Sequence, residues 1–397
     1  MVGTRPNYMK IAPIAAALGK RDELEHVLVH TGQHYDDSMS TIFFEQLGVG
    51  KPDHLLEVGS GSHAQQTARV MERLEPLLAR LSPDVVLVPG DVNSTMAAAL
   101  VACKMGVRVG HVEAGLRSFD RTMPEEINRV VADTVADLLF THSPEARSNL
   151  LAEGAPEEGI FAVGNTMIDT LLAMLPRVRE AGAAARLGLP EGEYLLITLH
   201  RPALTDGPLL EQALTELGKV ARELPVAFPV HPRTRARIQA SGLHAPGVTL
   251  LEPLGYIEFM SLMVSAAAVL TDSGGVQEET TYLGIPCFTL RDNTERPITV
   301  TAGTNVLLGL APERISEIPV ALACRRGAQT APIAGWDGAA ATRVAEVLGR
   351  PELPSRVALT SGRRPSWQRA AGPAPPHGVS DGDADRRPSP ASPRRQP

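Results

Sequence analysis

The sequence has few of the features that mark membrane, disulfide-rich or nucleic-acid-binding proteins. Its three cysteines are an odd number without paired spacing, which supports neither a disulfide framework nor a zinc site. No apolar run approaches the roughly 20 residues of a membrane span. The net charge of -7 gives no basic footprint for nucleic acid. We expect a cytoplasmic protein that binds neither membranes nor nucleic acid.

Several catalytic signatures are missing as well. The sequence contains no nucleophile-elbow serine, no P-loop, no clustered metal ligands and no GxGxxG motif. A covalent hydrolase, an NTPase, a metalloenzyme and a dinucleotide-dependent enzyme therefore lose their main support.

The sequence does contain alternating strand-like and helical stretches, which are typical of a doubly wound parallel sheet. Its 397 residues suffice for two domains with separate cores. We predict an α/β protein of two Rossmann-like domains, residues 1–165 and 166–349, with a ligand cleft between them. The last helix, 337–348, has Asp337 as its candidate N-cap and packs on one of the two domains. The predicted strands are 25–30, 85–88, 108–111, 138–141, 194–199, 227–230, 249–251, 267–271 and 287–290.

Both ends of the sequence differ from an ordinary domain. Gly3 to Pro6 reads as the loop after a first strand, but the strand is missing, and we expect a start codon assigned too late. Residues 350–397 are rich in Pro, Arg, Ser and Gly and show no hydrophobic periodicity. We expect this tail to be disordered and assign it no function.

Three carboxylates lie where open α/β sheets bind ligands, beyond the carboxyl ends of strands. Asp91 follows the strand 85–88, Glu113 follows the strand 108–111, and Glu125 begins a helix that carries Arg129. Carboxylates that share a cleft force their pKa values apart, as general acid/base catalysis requires. Two structural alternatives stay open: Asp91 as a helix N-cap, and Glu125 as the i,i+4 partner of Arg129.

Other segments suit an anionic ligand. The Ser273-Gly274-Gly275 turn precedes a helix whose first amides approach a phosphate closely, and Glu279 lies one turn further on. Gly3-Thr4-Arg5-Pro6 opens another helix, with Lys10 one turn in. His200-Arg201 ends a strand, where the histidine either faces the ligand or is structural. Together with the carboxylates, these segments predict an acid/base enzyme acting on a phosphorylated, nucleotide-linked substrate.

With these motifs the sequence resembles the non-hydrolysing UDP-N-acetylglucosamine 2-epimerases over nearly all of residues 3–348. The matching motifs, in order, are Gly3-Thr4-Arg5-Pro6 with Lys10, Thr31-Gly32-Gln33-His34, Gly90-Asp91, His111-Val112-Glu113-Ala114-Gly115-Leu116-Arg117, Pro124-Glu125-Glu126-Ile127-Asn128-Arg129, Gly164-Asn165, His200-Arg201, Asp272-Ser273-Gly274-Gly275-Val276-Gln277-Glu278-Glu279 and Thr294-Glu295-Arg296-Pro297. The resemblance implies a glycosyltransferase-B fold with UDP in the cleft, usually in a homodimer. It implies neither a metal nor a cofactor.

The resemblance also implies a role for each matching residue. The catalytic residues are Asp91, Glu113 and Glu125, together with His200. The diphosphate and sugar contacts are Arg5, Lys10, Arg129, Arg296 and the turn Ser273, Gly274 and Gly275, while Glu279 matches the ribose-binding acid and Phe259 resembles the residue beside the uracil.

The implied reaction is reversible epimerisation at C2 of UDP-N-acetylglucosamine to UDP-N-acetylmannosamine, which supplies cell-envelope polysaccharide. UDP is eliminated and added back through 2-acetamidoglucal. Two alternatives stay open: a hydrolysing 2-epimerase that releases UDP and N-acetylmannosamine, and a UDP-sugar-binding protein without turnover. The sequence specifies neither the substituent at C6 of the sugar nor activation by a second substrate molecule.

Overall fold

The computed structural model describes residues 1–3, 5–32, 50–240, 246–325 and 331–355. Within these ranges the chain is an α/β protein built on parallel sheets, as the sequence predicts. No helix in the described ranges is long and apolar enough to cross a membrane. The predicted tail from residue 356 onward and the Gln33-His34 part of the second motif lie outside the described residues.

The first half of the chain forms parallel strands. Its elements are α1 (Arg5–Leu18), β1 (Val29–His30), β2 (His54–Leu55), α2 (His63–Leu81), β3 (Val85–Pro89), α3 (Asn93–Lys104), β4 (Arg108–Val112), α4 (Pro124–Val135), β5 (Leu138–Thr141), α5 (Pro144–Ala152) and β6 (Ile160–Ala162). Strand β1 pairs with β2, and β3, β4, β5 and β6 are neighbours in that order. Val2 forms a parallel bridge with His30, and the Met1 amine donates to the Leu87 carbonyl oxygen at 2.8 Å. The bridge between Val2 and His30 lies where the sequence analysis expects a first strand to be missing.

The second half forms a six-stranded parallel sheet. Its elements are α6 (Thr166–Ala181), α7 (Ala183–Arg186), β7 (Leu195–Thr198), α8 (Pro202–Thr205), α9 (Leu209–Val220), β8 (Val226–Pro229), α10 (Pro232–Ala240), β9 (Val248–Leu251), α11 (Tyr256–Val264), β10 (Ala268–Thr271), α12 (Gly274–Leu283), β11 (Cys287–Thr289), α13 (Ile298–Thr301), β12 (Asn305–Leu307), α14 (Ile318–Arg325) and α15 (Ala340–Leu348). The strand order across the sheet is β12-β11-β10-β7-β8-β9. Short 3-10 turns occupy Glu157–Gly159 and Pro312–Glu317.

Strands β5 and β10 are apolar except for a final threonine, as is typical of parallel strands that helices cover on both faces. Leu138, Leu139 and Phe140 of β5 are completely buried, as are Val269 and Leu270 of β10. This continuous burial explains why the strands stand out in the sequence as uninterrupted apolar runs.

Two segments of chain pass each other at Gly164 and Gly335. The Gly335 carbonyl oxygen lies against Gly164 so closely that a side chain has no room there. Both residues have positive φ values, 93° and 78°, which glycine adopts without strain. After this crossing, α15 returns to the first half of the chain, where Val344 packs in one cluster with Ile11 of α1.

The start of α15 is capped from a neighbouring helix. Asp169 of α6 accepts hydrogen bonds from the amides of Ala340 and Ala341 at 3.2 and 2.7 Å. Asp337 instead pairs with Arg343 and lies outside the helix, which begins three residues later than predicted. The prediction of Asp337 as the N-cap is therefore wrong, because a side chain distant in sequence satisfies the first amides.

A buried network fixes the loop that follows β4. Asp133 of α4 accepts from His111 Nδ1 at 2.6 Å, pairs with Arg117 at 2.7 Å and accepts from the Gly115 amide at 3.0 Å. Burial alone would raise the pKa of Asp133, but the nearby His111 and Arg117 lower it. The loop between His111 and Arg117, which carries Glu113, is thus held at both ends.

We expect Asp133→Asn to lower the free energy of unfolding by roughly 3 kcal/mol, because it removes the buried negative charge that His111 and Arg117 share. The lowered pKa of Asp133 makes this contribution present at neutral pH and lost as the pH falls below about 4. Urea titrations at neutral and acidic pH measure both effects. Glu317→Gln, which removes the exposed partner of Arg314, is the control and should leave the midpoint unchanged. Equal stability of wild type and Asp133→Asn at neutral pH would contradict this account.

Candidate active site

Charged side chains from both halves of the chain meet beyond the carboxyl ends of the strands. In the first half, Asp91 follows β3, Glu113 follows β4 and His142 follows β5. In the second half, Glu278 lies on the helix after β10 and Arg296 follows β11. Ligands of open α/β sheets bind at this edge.

Glu113 is the centre of the cluster. Its carboxylate contacts the Lys10 ammonium and accepts from Arg296 Nη2 at 2.6 Å. The second bond joins the two halves of the chain. Glu113 has a φ of 71°, a left-handed conformation that residues other than glycine rarely adopt and that often marks a functional position.

The two cations control the ionisation of Glu113. Burial alone would raise its pKa, but the positive charges of Lys10 and Arg296 lower the pKa below its usual value. Glu113 is therefore ionised at neutral pH. A carboxylate in contact with two cations is a weak proton acceptor for as long as both contacts last.

Arg296 is surrounded by three carboxylates. Besides Glu113, its Nη1 contacts Glu295, and its Nε lies 3.1 Å from Glu278. Glu278 is completely buried and lies 3.2 Å from His142 Nε2. Burial opposes ionisation of Glu278, but Arg296 and His142 lower its pKa to about 2. The guanidinium is thus fully engaged by acidic partners.

Asp91 and Arg129 form a second ion pair beside the first. Arg129 Nη2 and Nε lie 2.9 and 3.1 Å from Asp91 Oδ2, and Nη2 lies 4.0 Å from Glu295. Helix α3 has Val92 as its N-cap and no side-chain capping bond. The alternative in which Asp91 caps this helix is therefore wrong, because its carboxylate binds Arg129 instead.

The helical ion-pair partner of Arg129 is Glu126, not Glu125. Glu126 contacts Arg129 and accepts from the amides of Ser118 and Phe119 at 2.9 Å each. Glu125 and Arg129, both described, form no ion pair, so the i,i+4 alternative is wrong. Glu126 lies on the buried face of the helix, whereas Glu125 is half-buried.

His200 is oriented by a buried acid. Its Nδ1 lies 2.9 Å from Asp272 Oδ1, and the amides of His200 and Arg201 donate to Asp272 Oδ2 at 2.9 and 2.8 Å. The His200 side chain is 56% exposed. Burial and the positive charge of Arg291 lower the pKa of Arg201, whereas the negative charges of Glu295, Asp272 and Glu125 act in the opposite sense.

The remaining predicted contacts lie on α11 and α12. Ser273 is the N-cap residue of α12 and precedes Gly274 and Gly275, the first two residues of that helix. Glu279, in the next turn, accepts from the Tyr256 hydroxyl at 3.0 Å. Phe259 is half-buried on α11, one turn after Tyr256. The side chain of Arg5 lies outside the described residues.

Glu113, His142 and Glu278 offer ligand atoms that lie within 4.8 Å of one another. This spacing suits a metal ion, but Lys10 and Arg296 already contact the two carboxylates. A divalent cation would be repelled by both side chains at close range. The charge distribution therefore favours ion pairing over metal binding.

Sequence reasoning assigned no role to His142, Glu278 or Glu295. His142 follows a predicted strand, the same signal that identified Asp91 and Glu113. The two glutamates adjoin residues that were predicted, Glu279 and Arg296. A motif locates a segment, but only the packing shows which neighbouring side chain points into the site.

Comparison with known proteins identifies the family of the chain. A family model described as UDP-N-acetylglucosamine 2-epimerase matches residues 16–349. The chain belongs to this family. Its α/β architecture of parallel sheets is of the glycosyltransferase-B type that the sequence predicts.

Relatives in the family differ in substrate. A UDP-N-acetylglucosamine 2-epimerase of Methanococcus maripaludis is 41% identical over 326 residues, which are 79% of this chain and 88% of the relative. A UDP-2,3-diacetamido-2,3-dideoxy-D-glucuronate 2-epimerase of Pseudomonas aeruginosa is 42% identical over 325 residues, 80% and 89% of the two chains. The solved structure of the Methanocaldococcus jannaschii UDP-GlcNAc 2-epimerase with UDP-GlcNAc and UDP is 40% identical and has a TM-score of 0.79, covering 87% of this chain and 98% of that one.

Gly274 leaves the space that Arg296 occupies at the start of α12, since a Cβ there would collide with the guanidinium. We expect Gly274→Ala to displace Arg296 and weaken UDP binding by roughly tenfold, the loss of about one charge-assisted hydrogen bond. Isothermal titration with UDP measures this change. Gly218→Ala, within α9, meets only Pro246 at 3.6 Å and is the control. Unchanged UDP affinity in Gly274→Ala would show that Arg296 does not bind the nucleotide.

Proposed function

We propose that this protein interconverts UDP-N-acetylglucosamine and UDP-N-acetylmannosamine by reversible, non-hydrolysing epimerisation at C2. The observation that carries the proposal is a buried carboxylate, Glu113, in contact with two cations, Lys10 and Arg296. A base and a pair of cations at one place suit a reaction that removes a proton while a diphosphate leaves.

The chemistry explains why these groups belong together. C2 of the sugar carries no activating carbonyl, so its proton leaves only as the bond from C1 to the UDP oxygen breaks. The C–H electrons form the C1=C2 double bond of 2-acetamidoglucal, and the C1–O electrons remain on UDP. Addition of UDP back to C1, with protonation of C2 on the opposite face, inverts that centre.

Carboxylates on the two faces of the sugar would carry the C2 proton. Glu113 and Asp91 lie beyond neighbouring strands and are held by separate arginines, Arg296 and Arg129. Glu125 and the Asp272-oriented His200 complete the proposed catalytic set. Lys10, Arg129 and Arg296, together with Arg5, would stabilise the charge of the departing diphosphate.

The nucleotide end of the substrate is proposed to bind on α11 and α12. The amides of Ser273, Gly274 and Gly275 stand at a helix start, where a phosphate is favoured. Glu279 would accept a ribose hydroxyl and Phe259 would lie beside the uracil. The proposed homodimer and cytoplasmic location stay predictions, and sedimentation of the purified protein tests the first.

A related donor is a second candidate, because the Pseudomonas aeruginosa relative is named for a diacetamido uronic acid and is 42% identical. Parallel turnover assays with UDP-N-acetylglucosamine and with that uronic donor compare the two. Product analysis also separates the remaining alternatives. Accumulating free N-acetylmannosamine indicates the hydrolysing reaction, and UDP binding without any product indicates a binding protein.

The reaction in heavy water tests the proposed mechanism. We expect deuterium at C2 of both substrate and product, since proton loss and return exchange with solvent. Mass spectrometry and proton NMR of the nucleotide sugars detect the label. Product that forms without deuterium at C2 would exclude proton abstraction there.

We expect Glu113→Gln and Asp91→Asn each to slow epimerisation by at least ~100-fold, the lower end of what a positioned acid or base contributes. UDP binding should survive in both variants. Steady-state turnover, with far-UV circular dichroism as the folding check, measures the effect. Near-normal turnover in either folded variant would remove that carboxylate from the mechanism.

A further inference from the structure

Lys10 and Arg296 have two prospective anionic partners. In the structure they hold the Glu113 carboxylate. In the proposed function they hold the diphosphate of the nucleotide. One set of donors cannot serve both partners at full strength, because the guanidinium edges of Arg296 are already occupied.

We propose that Glu113 and the nucleotide diphosphate compete for Lys10 and Arg296, so that diphosphate binding detaches Glu113 and thereby makes it a proton acceptor. This inference rests on the proposed function. It adds a coupling between binding and catalysis, in which the substrate itself releases the base.

The partners of Arg296 show why Glu113 is the carboxylate that gives way. Its three nitrogens face three different acids: Nη2 faces Glu113, Nε faces Glu278 and Nη1 faces Glu295. A phosphate oxygen that binds the guanidinium must displace one of them. The acid with the weakest other attachments is therefore the one to leave.

Glu278 and Glu295 each have polar partners other than Arg296. Glu278 accepts from Asn165 Nδ2 at 3.0 Å and lies 3.2 Å from His142. Glu295 pairs with Arg291 at 2.8 Å. These contacts persist when Arg296 turns to another anion.

Glu113 lacks such an anchor among the described residues. The other cation that contacts its carboxylate is Lys10, which is itself a proposed diphosphate ligand. A diphosphate carries more charge than one carboxylate and offers several acceptor oxygens, so it attracts both cations more strongly. Both attachments of Glu113 are thus lost in one event.

Detachment changes the basicity of Glu113 in the direction that the reaction needs. The carboxylate keeps its burial, which raises the pKa, and loses the two charges that lower it. The groups that then face it are His142, Glu278 and the bound diphosphate. The diphosphate and Glu278 are negative and raise its pKa further, whereas His142, when protonated, acts in the opposite sense.

Binding of inorganic pyrophosphate to Glu113→Gln tests the competition. Because the neutral amide competes poorly for the cations, we expect the variant to bind pyrophosphate and UDP at least about fivefold more tightly than wild type, the lower end of typical coupling between two sites. Isothermal titration calorimetry gives Kd for each. Glu216→Gln, which removes a half-buried carboxylate that pairs with Lys219 on α9, away from the site, is the matched control and should leave both Kd values unchanged. Equal or weaker binding by folded Glu113→Gln overturns the proposal.

A crystal structure of the wild-type protein with bound UDP tests the same competition without a variant. We expect Lys10 Nζ and Arg296 Nη2 on phosphate oxygens, with the Glu113 carboxylate beyond about 4 Å from both, the limit of an ion pair. Bound UDP with both Glu113 ion pairs intact overturns the proposal.

The two proposals fail separately. The binding measurements involve no turnover, so tighter pyrophosphate binding by Glu113→Gln without wild-type epimerisation contradicts only the proposed function. Epimerisation with deuterium entering C2, but without tighter binding by the variant, contradicts only the competition.

Discussion

The ion pair between Glu113 and Arg296 links the two halves of the chain within the charged cluster. Each half contributes carboxylates and cations to this cluster, and the proposed chemistry uses groups from both. A carboxylate and a guanidinium buried together attract strongly only when further hydrogen bonds satisfy each of them. The acids around Arg296 and the fixed loop around Glu113 provide that support, so much of the surrounding polar network serves this one contact.

The support for Glu113 begins outside the site. His111, Arg117 and Asp133 hold the two ends of its loop, and none of the three is exposed by more than 3%. This scaffold allows Glu113 to adopt a left-handed backbone conformation that its own sequence does not favour. The position of Glu113 thus depends on residues outside the charged cluster.

The sequence was informative where a local rule governs the structure. Parallel strands buried on both faces must be apolar, so β3, β4, β5 and β10 were predicted within one or two residues. Polar residues just beyond such strands gather at one edge of a sheet, and Asp91, Glu113 and Arg296 do so. Ion-pair partners followed no such rule. Glu126, not Glu125, meets Arg129, and Asp169 caps α15 from elsewhere in the chain, because each outcome depends on how two helices pack.

The crossing of Gly164 and Gly335 limits how the molecule can rearrange. The chain passes between its two halves twice, and the passages touch. Two halves that are connected at two adjacent points can rotate relative to each other about the line through Gly164 and Gly335. A rotation there leaves the backbone hydrogen bonds within each sheet intact and changes the contacts between the two halves, including that of Arg296 with Glu113. Because Arg296 and Glu113 are both buried, dissolved salt screens their attraction only weakly, so raising the ionic strength does little to separate the two halves.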